Sequence, residues 1–105
     1  MHLFRVYRAM SVRKQGIIDD IAIQCAGAPY NDCYIGITSD IEMQLVKHNV
    51  SMSTDRWICR IADTHELAWE IRQHFIAVGM DGVEGGCNEE GTIVYVYRKS
   101  STTFP

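Results

Sequence analysis

The chain has 105 residues, 47% hydrophobic and 22% charged, an ordinary balance for one small globular domain and too short for two. No stretch approaches the ~18 apolar residues that a bilayer crossing needs, and Met1 to Arg5 lack the apolar run of an export signal, so a cytoplasmic protein with no membrane partner is expected. The formal net charge of −3 counts against a generic, charge-driven nucleic-acid binder, although Arg5, Arg8, Arg13 and Lys14 form a local basic strip ahead of every acid in the chain.

Leu3, Phe4, Val6 and Tyr7 in an arginine-spaced stretch predict a first strand. Ser11 then caps a helix carrying Val12, Ile17, Ile18, Ile21 and Cys25, which Gly27 and Pro29 stop; Gly16 weakens its first turns by about 1 kcal/mol relative to alanine. Residues 33–38 are a β-branched and aromatic run, hence a strand, and the glycine within it, Gly36, marks a close approach by another backbone or a ligand. Ser39, Asp40, Ile41 and Glu42 have the form of a capping box that opens a helix to about His48, where an imidazole suits the helix dipole. Residues 49–55 read as a loop and 56–61 as a half-buried strand.

Asp63, Thr64, His65 and Glu66 give a second capping signature, and Leu67, Ile71, His74, Phe75 and Val78 recur at helical spacing until Gly79 supplies a left-handed stop. Residues 79–91 hold five glycines and four acids and are expected to be a connection rather than an element. Residues 92–98 are the strongest strand pattern in the chain. The order β-α-β-α-β-α-β predicts a single small α/β or α+β domain over residues 1–105, its helices covering a four-stranded sheet. If the last strand lay at an edge, it could pair across a homodimer.

Cys25, Cys33, Cys59 and Cys87 include no closely spaced pair, so they are expected to be reduced and structural. The histidines show no metal-ligand spacing. Asp81, Glu84, Glu89 and Glu90 make an exposed acidic loop, suited to recognising a basic partner protein or to imitating nucleic-acid charge, and otherwise a solvated face.

The run Tyr34-Ile35-Gly36-Ile37-Thr38-Ser39-Asp40, followed by a capped helix ending Lys47-His48-Asn49, resembles the second half of the GIY-YIG nuclease domain. Farther on, Thr64-His65-Glu66-Leu67-Ala68-Trp69-Glu70 resembles that family's second helical signature, with Glu70 as the matching carboxylate. The resemblance spans residues 34–79. It implies phosphodiester hydrolysis in which Tyr34 or Tyr7 helps to activate water, an arginine stabilises phosphate charge and Glu70 holds Mg²⁺ or Mn²⁺.

Two departures shape the expected function. The family's arginine position is Gln44, ahead of Leu45, which leaves Lys47, His48 or Arg72 to supply the charge. The first motif is reduced to Arg5-Val6-Tyr7, with a whole helix between it and Tyr34. The expectation is therefore a degenerate GIY-YIG-like domain acting as a small binding or regulatory protein, without nuclease activity or cofactor, its partner a protein or a nucleic acid. The alternative is a working metal-dependent endonuclease. A third possibility is an adaptor with no nuclease kinship, in which Tyr34 is an ordinary strand tyrosine, Glu66 and Glu70 are solvated with Arg72 and His74, and Tyr34 and Glu70 lie on opposite faces.

Overall fold

A strand sends successive side chains to opposite faces, so an unbroken apolar run must be covered on both sides. The computed structural model describes residues 14–83 and 91–105, and its β1, Cys33–Thr38, is buried along its whole length. The remaining described elements are α1 Lys14–Gln24, α2 Ile41–Lys47, β2 Trp57–Ile61, α3 His65–Ala77, β3 Asp81–Gly82 and β4 Ile93–Arg98, with a 3-10 turn Tyr30–Asp32 ahead of β1. The fold is α+β. Among the described residues, three helices cover a mixed four-stranded sheet of order β2-β4-β1-β3. β4 runs antiparallel to both β1 and β2, and β3 runs parallel to β1. The strand expected around Tyr7, the Ser11 cap, Cys87 and the acids Glu84, Glu89 and Glu90 lie outside the described residues.

The two faces of the sheet are chemically different. On one, Cys33, Ile35, Ile37, Ile58, Val94 and Val96 meet Ile17, Ile18 and Ile21 of α1 and Ala68, Ile71 and Phe75 of α3. Each fully buried aliphatic or aromatic side chain there contributes about 1.5–3 kcal/mol relative to exposure. On the other face, the register sets Tyr34 opposite Tyr97, and Gly36 and Cys59 on either side of Tyr95. Leu45 of α2 and Val50 complete that second cluster.

Helix ends are fixed by local chemistry. The α2 cap is Asp40, one residue beyond the expected Ser39: its carboxylate accepts from the Met43 amide at 3.1 Å, while the Asp40 amide donates to Thr38 Oγ1 at 2.9 Å. Thr64 caps α3 by accepting from the Leu67 amide at 3.0 Å. Both helices stop in the same way, on a left-handed residue, Asn49 (φ 56°) or Gly79 (φ 123°). The next amide then reaches back to the last turn, Val50 to Leu45 and Met80 to Phe75, and each of these pairs is buried.

Two sequence expectations are corrected. Residues 79–91 are not wholly a connection, because Met80 anchors the chain beneath α3 and Asp81 and Gly82 pair at once with Tyr34 and Ile35. The last strand, β4, lies between β2 and β1, so it offers no edge to a second copy. Cys25, Cys33 and Cys59 are buried free thiols, and although Cys25 and Cys33 are eight positions apart in sequence, α1, the turn after it and β1 fold back to bring their sulfurs to 3.9 Å.

Candidate functional site

The second face of the sheet carries phenols because tyrosines two apart on β4, Tyr95 and Tyr97, share a side with Tyr34 of β1. They enclose one imidazole. His48 follows α2 directly, and the Asn49 turn holds it over the sheet, where Tyr34 packs at 4.8 Å, Tyr97 at 5.2 Å and Tyr95 at 5.8 Å between ring centroids. Gly36 makes this possible: a Cβ at that position would fall inside the phenol of its cross-strand neighbour Tyr95, 2.5 Å from Cζ. The close approach expected of Gly36 is thus to an aromatic side chain.

The hydrogen bonds assign the imidazole's proton. His48 Nδ1 faces the Phe104 carbonyl at 2.6 Å, and a carbonyl only accepts, so Nδ1 carries the hydrogen. The Tyr97 hydroxyl stands 3.0 Å from the same nitrogen and shares that N–H. Nε2 lies 3.0 Å from the Tyr95 hydroxyl, which donates to Gln44 Oε1 at 3.4 Å. Burial pushes the Tyr97 phenol well above its ordinary value, with Tyr34 and Asp81 adding to the shift, so Tyr97 stays neutral and acts as a hydrogen-bonding wall. The segment after β4 is tied to the same turn: the Phe104 amide donates to the His48 carbonyl at 2.7 Å and Asn49 Nδ2 to the Thr102 carbonyl at 2.8 Å.

Beside this cluster lies a cleft of about 580 Å³ along β1 from Tyr34 to Thr38. It brings together Tyr34, Gly36, Lys47, His48 and Arg72 of the expected site residues, with Gln44 and Tyr95. Lys47 and His48 come from the end of α2, and Arg72 comes from α3 on the other side of the sheet. Arg72, expected as a substitute for the family's arginine or else as surface charge, is 3% exposed. Arg72 and Lys47 thus bring a guanidinium and an ammonium group to the lining of one cleft.

Glu70 is not brought to that cleft. It lies on α3, whose buried side covers the Ile35 face of the sheet, while Tyr34 is in the cluster beneath α2. Its carboxylate is half exposed and pairs with Lys14 of α1 at 3.1 Å. The periodicity of α3 explains this, since two residues are a 200° turn and the residue that reaches the cleft is Arg72. Asp81 is exposed and pairs with Lys99 at 3.4 Å, outside the cleft lining. Among the described residues the cleft has no acidic side chain, and no group of three or more His, Cys, Asp or Glu is placed to hold a metal ion. The described side chains therefore do not fit the Mg²⁺ or Mn²⁺ that the nuclease resemblance implies. Tyr7, Glu84, Glu89 and Glu90 lie outside the described residues.

Sequence reasoning missed Tyr95, Tyr97 and Phe104. The two tyrosines carried a usable signal, their spacing of two in a strand, but without the register nothing linked them to Tyr34 or His48. No helix among the described residues is long and apolar enough to cross a membrane. Comparison with protein-family models finds no match, and comparisons with curated proteins and with solved structures find none either.

Proposed function

We propose that this chain is a GIY-YIG-like domain that binds without cutting, a small binding or regulatory protein whose cleft beside β1 takes a phosphate group of a nucleic-acid strand. One observation carries the reading. Where α3 reaches the cleft, the side chain is the cation Arg72, and the carboxylate that would anchor a metal, Glu70, is engaged with Lys14 instead. The exposed Lys47 ammonium, with the Arg72 guanidinium behind it, favours the same phosphodiester that a metal site would hydrolyse, without supplying an activated water. Gln44 and the His48–Tyr95 pair add hydrogen-bonding groups beside it.

The test combines a binding and a cleavage measurement on the full chain. Fluorescence anisotropy with labelled single- and double-stranded oligonucleotides is expected to show binding that weakens as salt rises. Lys47→Ala, a change at an exposed position, is expected to weaken it by about 5–10-fold, the size of one lost phosphate contact. A plasmid nicking assay with Mg²⁺ or Mn²⁺ is expected to show no cleavage. Metal-dependent nicking abolished by Glu70→Ala would overturn the reading in favour of a working endonuclease. Absence of salt-sensitive binding to every oligonucleotide would remove nucleic acid as the ligand.

A further inference from the structure

A second cleft, of about 490 Å³, is lined by the ends of β1 and β4, the start of β2 and the segment after α1, and Cys25 and Cys33 are both part of its lining. Cys25 sits just past the end of α1 and Cys33 begins β1; the intervening segment turns through Gly27 in a left-handed conformation (φ 89°) and brings the two sulfurs to 3.9 Å. A disulfide needs about 2.05 Å between sulfurs, so closure takes a modest side-chain and backbone adjustment at a loop that already folds back on itself. Arg56 and Arg98 line the same cleft. Among the described cysteines, Cys59 belongs to the opposite face of the sheet, in the tyrosine cluster.

We propose that Cys25 and Cys33 are a reversible dithiol–disulfide couple, a modification site that takes hydroperoxides as its oxidant. The two thiols have different tasks. Its hydrogen bond with Cys25 lowers the Cys33 thiol to about 7, with Arg98 and Lys99 assisting against burial and Asp32, so Cys33 is the nucleophile. The Cys33 hydrogen bond, burial and the Cys33 charge hold Cys25 far above the ordinary thiol range, so Cys25 waits as the resolving thiol.

Cys33 thiolate attacks one peroxide oxygen. An S–O bond forms, the O–O bond breaks, and the departing hydroxide takes a proton to leave as water. The resulting sulfenic acid is neutral, which removes the charge that held the Cys25 proton. Cys25 then attacks the Cys33 sulfur: the S–S bond forms, the S–O bond breaks, and the hydroxide leaves with the Cys25 proton as a second water. The thiol pair loses two electrons and hydrogen peroxide gains them.

The experiment treats the reduced full chain with equimolar hydrogen peroxide, quenches with a thiol alkylator in denaturant, and reads intact mass and peptides cleaved at Asp32, between the two cysteines. The wild type is expected to lose the mass of two hydrogen atoms and two alkylatable thiols, with Cys25 linked to Cys33 and Cys59 still free, and dithiothreitol is expected to restore both thiols. Cys25→Ser is expected to stop at a sulfenic acid on Cys33 that a dimedone probe captures, and Cys33→Ser to leave Cys25 unreacted. Retention of all thiols in the wild type would overturn the proposal. So would a linkage from either residue to Cys59, Cys87 or a second copy of the chain, or disulfide formation that survives Cys25→Ser.

Discussion

The two faces of one sheet do different work. The face beneath α1 and α3 is built mainly from isoleucines, valines, alanines and Phe75, packed side chain against side chain. The face beneath α2 is built around three tyrosines, a glycine and a histidine, and the Tyr95 and Tyr97 hydroxyls stand within hydrogen-bond distance of the two ring nitrogens. Apolar packing tolerates exchange among side chains of similar volume, whereas a buried polar group left without its partner costs about 1–3 kcal/mol. The first face accordingly supplies cohesion. The second fixes one geometry, and the cleft that gathers Lys47, His48 and Arg72 lies beside it.

The sharpest way to break this contrast is to damage each face and compare. Phe75→Ala removes a fully buried ring from the aliphatic face, and urea unfolding is expected to show a loss of about 3–5 kcal/mol. On the tyrosine face, Gly36→Ala adds a single methyl where the Tyr95 phenol lies, and a loss of about 1–3 kcal/mol is expected. That loss is expected to shrink when Tyr95→Ala accompanies it, because the two positions share one volume. Strictly additive effects would show that Gly36 serves something other than seating this ring.

The thiol pair tests the aliphatic face by pH. The lowered Cys33 group binds fewer protons in the folded state than an ordinary cysteine, so its contribution to stability grows as pH rises from about 7 to about 9 and is lost as pH falls through about 7. The raised Cys25 group has the opposite sign: its contribution is present below about 9 and is lost as the unfolded chain deprotonates above that value. Relative to the Cys25→Ser/Cys33→Ser double variant, wild-type stability measured by urea titration under reducing conditions is therefore expected to peak near pH 9, with a swing on the order of 1–2 kcal/mol. A flat difference across that range would show that the two sulfurs are not coupled.

What the sequence made legible follows the range of the physics involved. β1, the helix stop at Gly79 and the two acidic-side-chain-rich capping regions rest on contacts within a few residues, and they were placed to within about one residue. β3 was missed because its pairing depends on Met80 being drawn under α3, a tertiary event that a glycine-rich segment does not announce. The site was only half legible for the same reason. Tyr34, Lys47 and His48 lie on a local strand–helix unit, so one motif located them. Arg72 and the β4 tyrosines enter through helix packing and strand register, which place residues from distant stretches around the same imidazole and cleft.

The smallest expected effect bears most directly on kinship with the nucleases. Lys14 and Glu70 are both about half exposed, and such a pair contributes about 0–1 kcal/mol, so Glu70→Ala is expected to change stability within that range and by the same amount as Lys14→Ala. The double variant is expected to add nothing further, since either single change already removes the contact. Glu70→Ala is also expected to leave oligonucleotide affinity unchanged, because its carboxylate sits on the α1–α3 surface across the sheet from Tyr34. A large loss of affinity on Glu70→Ala, at unchanged stability, would show that the helical acid reaches the ligand after all and that α3 contributes more to the cleft than Arg72.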